Sequence, residues 1–157
     1  MSGVDSKLKD LGIVLPSPAA PVANYVPFVR SGNLLFISGQ LPFGADGKIA
    51  PRHIGKLGRE IFNEAGQEAA RLAAINVLAQ AKIALAGRLD AIARCVRLTG
   101  YINCMADFAA LPAVMNGASD LLVEIFGDAG RHARTTIGVA ELPLDSAVEV
   151  EAIFEVA

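Results

Sequence analysis

Tryptophan is absent from this 157-residue chain, and cysteine and histidine occur only twice each. So few imidazoles and thiols leave little from which to build a transition-metal site. Cys95 and Cys104 show neither metal-ligand spacing nor a disulfide framework. Charge is scarce too: Asp, Glu, Lys and Arg together make up 19% of the residues, with a formal net charge of −2 and a pI near 5.6. A nucleic-acid-binding surface usually needs a basic stripe, and this balance supplies none. The glycines of SGQLPFGADGK punctuate strands and a turn without a following helix, so they do not form a phosphate-binding loop. The expectation is a protein with no metal and no organic cofactor. Nor is there a long unbroken apolar run. The stretch LAAINVLAQAKIALAG is interrupted by Asn76, Gln80 and Lys82, which argues against a membrane span. Residues 1–15 lack the basic-then-apolar order of a signal peptide, which gives a cytoplasmic expectation.

What the chain has in quantity is apolar surface. Hydrophobic residues reach 53%, with a mean hydropathy of +0.44. The length suits one domain over residues 1–157, with residues 1–23 as an N-terminal helix and proline-rich extension. A lone domain this apolar cannot cover itself with polar groups, so burial against copies of itself is expected.

Residues 5–12 read as a short helix, followed by the extended connector LPSPAAP. Two apolar runs, YVPFV (25–29) and NLLFISGQLP (33–42), flank Arg30-Ser31-Gly32 and predict a hairpin, with a second tight turn at Asp46-Gly47. The stretch PRHIGKLGREI (51–61) has no clear period and reads as irregular, with room for a short strand. Strong helix formers dominate from Asn63 to about Leu85, with Gly87 as a stop. Their large apolar residues, Leu72, Ile75, Leu78, Ile83 and Leu85, fall within a broad arc. RCVRLTGYINC (94–104) reads as a strand. A helix over roughly 112–126 shows Val114, Ala118, Leu121 and Ile125 at helical spacing, with Pro112 in its first turn. A strand at 133–140, a turn at PLDSA and a strand at 148–156 close the chain. In the last strand Val148, Val150, Ala152, Phe154 and Val156 share one face, and Glu149, Glu151 and Glu155 the other.

The segment GRHARTTIGVAELP (130–143) holds the most telling side chain. Ala133, Thr135, Ile137 and Val139 make an apolar face, and Arg134, Thr136 and Gly138 lie on the other. That polar face either meets water or lines a pocket in which Arg134 holds a small anion. Three segments, YVPFVRSGNLLFISGQLP, GRHARTTIGVAELP and VEVEAI, resemble characteristic stretches of the RidA family, also called YjgF-like or L-PSP endoribonuclease-like. The likeness runs in order from about Asn24 to Val156, and GASDLLVEIFGDAGRHAR looks like a divergent branch.

The resemblance implies an α+β, chorismate-mutase-like fold, with a mixed sheet, two helices packed on one face, and a homotrimer whose sheets form a central barrel with clefts between neighbours. It implies hydrolysis of reactive enamines and imines, such as 2-imino acids, to 2-keto acids and ammonia. Arg134 stands where the family keeps a substrate-binding arginine, whose planar fork suits a carboxylate. Glu149 matches the family's carboxylate, suited to handling the protons of the attacking water and departing amine. Tyr25, Ser38 and Gly39 match further cleft positions. A family asparagine at the start of the second helix falls on Asn116 if a short insertion is allowed, and on Pro112 without one. Many deaminases of the family carry a cysteine where this chain has Thr136, a small hydrogen-bonding group without a thiol's nucleophilicity. Arg52, His53 and Lys56 are candidate second contacts at the cleft mouth, although each also reads as ordinary surface charge. Two other functions stay open: a non-catalytic trimer that binds small carboxylates as a sensor or scaffold, and, less favoured, RNA cleavage.

Overall fold

The structure, a computed structural model, describes residues 3–18 and 23–157. Its elements run α1 (Gly3–Asp10), β1 (Phe28–Ser31), β2 (Leu34–Gln40), α2 (Asn63–Ala84), β3 (Ile92–Asn103), α3 (Leu111–Phe126), β4 (Ala133–Val139) and β5 (Val148–Val156). α1 is the short helix expected at 5–12, set two residues earlier, and the rest follow the expected order of two strands, helix, strand, helix and two strands. Residues 13–18 have no regular structure, and residues 19–21, the end of LPSPAAP, lie outside the described residues.

The five strands form one mixed sheet in the order β1-β2-β5-β3-β4. The pairs β1–β2, β2–β5 and β5–β3 are antiparallel, whereas β3 and β4 run parallel. A parallel pair needs a crossover, and α3 provides it. Both α2 and α3 pack against the sheet. The strict alternation of β5 sends Val148, Val150, Ala152, Phe154 and Val156 into the core. There they meet Leu98 and Ile102 of β3 and Val114, Met115, Leu121 and Leu122 of α3. Among the described residues no helix is long and apolar enough to cross a membrane.

The structure refines three local readings. The hairpin turn is Gly32-Asn33, because Ser31 already pairs with Leu34 and Arg30 with Leu35. Gly32, at φ 60°, takes the left-handed conformation that so tight a turn requires. In α2 the buried side is built mainly of small residues, Ala69, Ala70, Ala73, Ala74 and Ala81 with Val77 and Leu78, while Ile83 is 54% exposed. Small residues let α2 approach α3 closely: a Cβ at Gly117 of α3 would collide with the backbone carbonyl of Gln67.

The third concerns β4, whose polar face the sequence leaves to either water or a pocket. Cross-strand partners share a face, and Arg134, Thr136 and Gly138 pair with Leu98, Gly100 and Ile102. Those three residues point toward the helices. The polar side of β4 therefore turns inward toward α3, while its apolar side lies on the sheet's open face. Val29, Phe36 and Ile137 on that open face are 52%, 39% and 43% exposed, an apolar surface that this one chain leaves uncovered.

The turn expected at Asp46-Gly47 is present, closed by Gly47 N–H donating to the Gly44 carbonyl at 3.0 Å. Residues 51–61 are irregular as expected, with a 3₁₀ turn at Pro51–His53 and single bridges from Ile54 to Ser146 and from Leu57 to Ile61 and Cys104.

Candidate functional site

Arg134 sits near the start of edge strand β4, and its guanidinium reaches α3. Its Nη1 donates to Asn116 Oδ1 at 2.9 Å and to Ser119 Oγ at 3.1 Å. Asn116 and Ser119 stand one helical turn apart, on the side of α3 that faces β4. The structure thus brings Asn116, and not Pro112, to the arginine; Pro112 lies in the first turn of α3. The network continues through His132. The Ser119 hydroxyl lies 2.9 Å from His132 Nε2, and His132 Nδ1 lies 2.6 Å from the Gly130 carbonyl. Burial lowers the pKa of His132 and the nearby Arg134 charge adds to this, although the Gly130 bond opposes them. Ser119 and His132 are absent from the sequence reading; their only signals were the spacing of Asn116 with Ser119 and the alternation of His132 with Arg134. Thr136, next along the same face, has a buried Oγ1 with no hydrogen-bond partner among the described residues.

Glu149 belongs to a second cluster. It pairs with Tyr101 across β5–β3, and Tyr101 lies three residues from Leu98, Arg134's partner. An odd separation on one strand means opposite faces, so Glu149 projects from the open face and Arg134 toward the helices. One protomer does not bring the two together. Glu149 lies against Gly39 of β2, where any Cβ would collide with its Oε1. The sheet register shifts between Ile37 and Gln40, and this irregularity admits the carboxylate beside Ser38-Gly39. Burial, then the neighbouring Glu151 carboxylate, raises the Glu149 pKa above the usual 4.5. Glu151 accepts a hydrogen bond from the Tyr101 hydroxyl at 3.2 Å, and burial, then Glu151, raises the Tyr101 pKa. Glu151, on the same face of β5, lines with Ser38, Arg97 and Phe36 an open-face hollow of about 230 Å³.

Ser38 Oγ donates to the Val26 carbonyl at 2.8 Å, which ties β2 to the segment carrying Tyr25. Tyr25 itself is 57% exposed. The three candidates from 51–61, Arg52, His53 and Lys56, are engaged within the chain. Arg52 pairs with Glu68 at 3.2 Å, and buried His53 lies 3.4 Å from the same carboxylate. Lys56 donates to Asn103 Oδ1 at 2.6 Å and to the Ala140 carbonyl, and pairs with Glu141 at 3.4 Å. Both cysteines are free. Burial pushes the Cys95 thiol up to about 12 and raises that of Cys104, so neither is a ready thiolate. Among the described residues no group of three or more His, Cys, Asp or Glu could hold a metal ion.

Residues 5–156 match the model of a family described as "YjgF/chorismate mutase-like, putative endoribonuclease". Protein TCP17 of Trypanosoma cruzi is 45% identical over 153 residues, covering 97% of this chain and 93% of the relative. The crystal structure of Atu1372 from Agrobacterium tumefaciens, a protein of unknown function, superposes with a TM-score of 0.91 at 45% identity, covering 99% of this chain and 93% of that one. A Shewanella oneidensis structure, also described as a "putative endoribonuclease", gives a TM-score of 0.92 at 38% identity, with 98% and 99% covered. Matched along nearly its whole length in sequence and in fold, the chain belongs to the YjgF/chorismate-mutase-like, or RidA, family.

Proposed function

We propose that the chain hydrolyses small 2-imino acids and their enamine tautomers to 2-keto acids and ammonia, in a cleft assembled between copies of itself. The observation that carries this reading is the state of Arg134. Its Nη1 is tied down by Asn116 and Ser119, which leaves the rest of a braced guanidinium to grip a carboxylate beside the reacting carbon. Such a grip is catalysis by positioning.

Because Glu149 projects from the other face, a complete site needs Arg134 from one copy and Glu149 from another. The uncovered apolar sheet face supplies the reason to associate, and a closed trimer is the arrangement proposed. Water attacks the imine carbon and loses a proton to the Glu149 carboxylate. The nitrogen takes that proton to complete the carbinolamine. The carbinolamine hydroxyl then gives a second proton to Glu149 as the C=O of the keto acid forms and the C–N bond breaks, and Glu149 passes that proton to the departing ammonia. A carboxyl pKa raised toward neutrality suits this two-way proton duty. Thr136 in place of a cysteine does not interrupt the sequence, since water is the nucleophile.

The description shared with the Shewanella relative raises RNA cleavage as a second reading. It finds little support in a net charge of −2 or in two histidines that are each committed to another partner within the chain. The deciding test is ammonia release when an amino-acid oxidase generates imino acids in the presence of the protein. Release no faster than the spontaneous rate across a panel of side chains overturns the deaminase reading.

A further inference from the structure

We propose that Ser119 and His132 are positioning residues that lock the guanidinium of Arg134, leaving its Nε–Nη2 edge as the one offered to a ligand carboxylate. Nη1 carries two protons, and both are spent, one on Asn116 Oδ1 at 2.9 Å and one on Ser119 Oγ at 3.1 Å. Nε and Nη2 remain, on the side of the guanidinium away from Nη1. Together they form a side-on fork whose two N–H bonds match the two oxygens of a carboxylate.

The rest of the network runs in one direction. The Gly130 carbonyl can only accept, so His132 Nδ1, 2.6 Å away, carries the proton of the neutral ring. Nε2 is then unprotonated and accepts the Ser119 hydroxyl proton at 2.9 Å, while Ser119 Oγ accepts from Arg134. The final acceptor is itself fixed: Gly130 packs so closely on α3 that a Cβ there would collide with the Leu122 carbonyl. Each group in the chain from arginine to carbonyl has one role available, so the arrangement is rigid without any buried ion pair. A serine against a histidine is also the arrangement of an activated nucleophile. Here, however, the serine oxygen is engaged by a cation, which draws electron density away from it.

The ligand half of this proposal rests on the carboxylate reading of Arg134; the relay half does not, and the two are measured separately. NMR of the isotope-labelled protein near neutral pH reads the relay directly. His132 is expected as the Nδ1–H tautomer, with slow rotation of the Arg134 guanidinium. Ser119→Ala and His132→Leu free that rotation. His132→Gln, whose amide oxygen can still accept from Ser119, keeps it slow. Calorimetric titration with 2-ketobutyrate reads the ligand half. Ser119→Ala and His132→Leu weaken binding about tenfold, the worth of one lost supporting hydrogen bond, while His132→Gln stays within about threefold of wild type. An Nε2–H tautomer, or guanidinium rotation unchanged in Ser119→Ala, overturns the relay. Unchanged affinity in Ser119→Ala, alongside a loss in Arg134→Ala, overturns the positioning role. If Arg134→Ala itself binds 2-ketobutyrate like wild type, the carboxylate reading fails, and the rotation measurement still decides the relay.

Discussion

Arg134 and Glu149 are assigned to different steps, and their variants should separate those steps. Arg134→Ala removes a charge-assisted pair in a partly dry cleft and should weaken 2-keto acid binding by roughly 2–5 kcal/mol. Arg134→Lys should restore little, because an ammonium keeps the charge and loses the fork. Glu149→Gln should leave keto acid binding nearly unchanged and slow imine hydrolysis by about 10²–10⁴-fold, the usual worth of a general acid–base group. Calorimetry and a hydrolysis rate on each variant check all three. Wild-type behaviour of Arg134→Ala in both would make the arginine an ordinary structural residue. With its pKa raised above 4.5 by burial and Glu151, Glu149 loses its base form at a higher pH than an ordinary carboxylate. The hydrolysis rate should fall on acidification over that raised range.

The α2–α3 contact leaves no room for added volume. Gly117→Ala places a methyl group on the Gln67 carbonyl, a backbone atom that cannot swing aside. Overpacking of this kind costs about 1–3 kcal/mol, and a thermal melt at fixed protein concentration should show Tm lowered by several degrees. An unchanged Tm would mean that the helices slide apart easily. This contact also shows what sequence reasoning passed over. Its arc of large residues in α2 included Ile83, which is exposed, whereas the core face is mostly alanine, whose small size matters only once a partner helix is present. The succession of elements along the chain and the β5 alternation were legible, because β-branched residues at period two leave one reading. The order of the strands within the sheet was not, nor was the orientation of β4. A face bearing Arg134 and Thr136 reads by polarity as wetted or as lining a pocket. Only the fold shows that it turns to α3, where Asn116 and Ser119 accept from the arginine. Ser119 and His132 went unnoticed because nothing along the chain links them until the fold sets them 2.9 Å apart.

For the whole molecule, the uncovered apolar face predicts self-association. Light scattering at micromolar concentration should return three times the 16.4 kDa chain mass, and a monomer mass would remove the shared site along with the trimer. Acid should also loosen the fold. Burial is the largest influence lowering the pKa of both His53 and His132 below the usual 6.5. As pH falls through 6.5 the unfolded chain takes up protons that the folded chain refuses, so stability drops. The raised pKa of Glu149 acts in the opposite sense at lower pH, favouring the folded state as it protonates. Melts from pH 8 to 5 should therefore show Tm declining below about pH 6.5, and replacing His132 with Gln should flatten part of that decline.

The opposed directions of Arg134 and Glu149 make the proposed activity a property that two defective chains can restore to each other. A chain lacking Arg134 still lends its glutamate to a neighbour, and a chain lacking Glu149 still lends its arginine. Refolded separately, Arg134→Ala and Glu149→Gln should both be inactive. Refolded together in equal amounts, they should form about a quarter of their interfaces with both groups intact, if copies join at random in a head-to-tail ring. The mixture should then hydrolyse imines at about a quarter of the wild-type rate per chain. A site contained within one protomer would leave it as inactive as its parents.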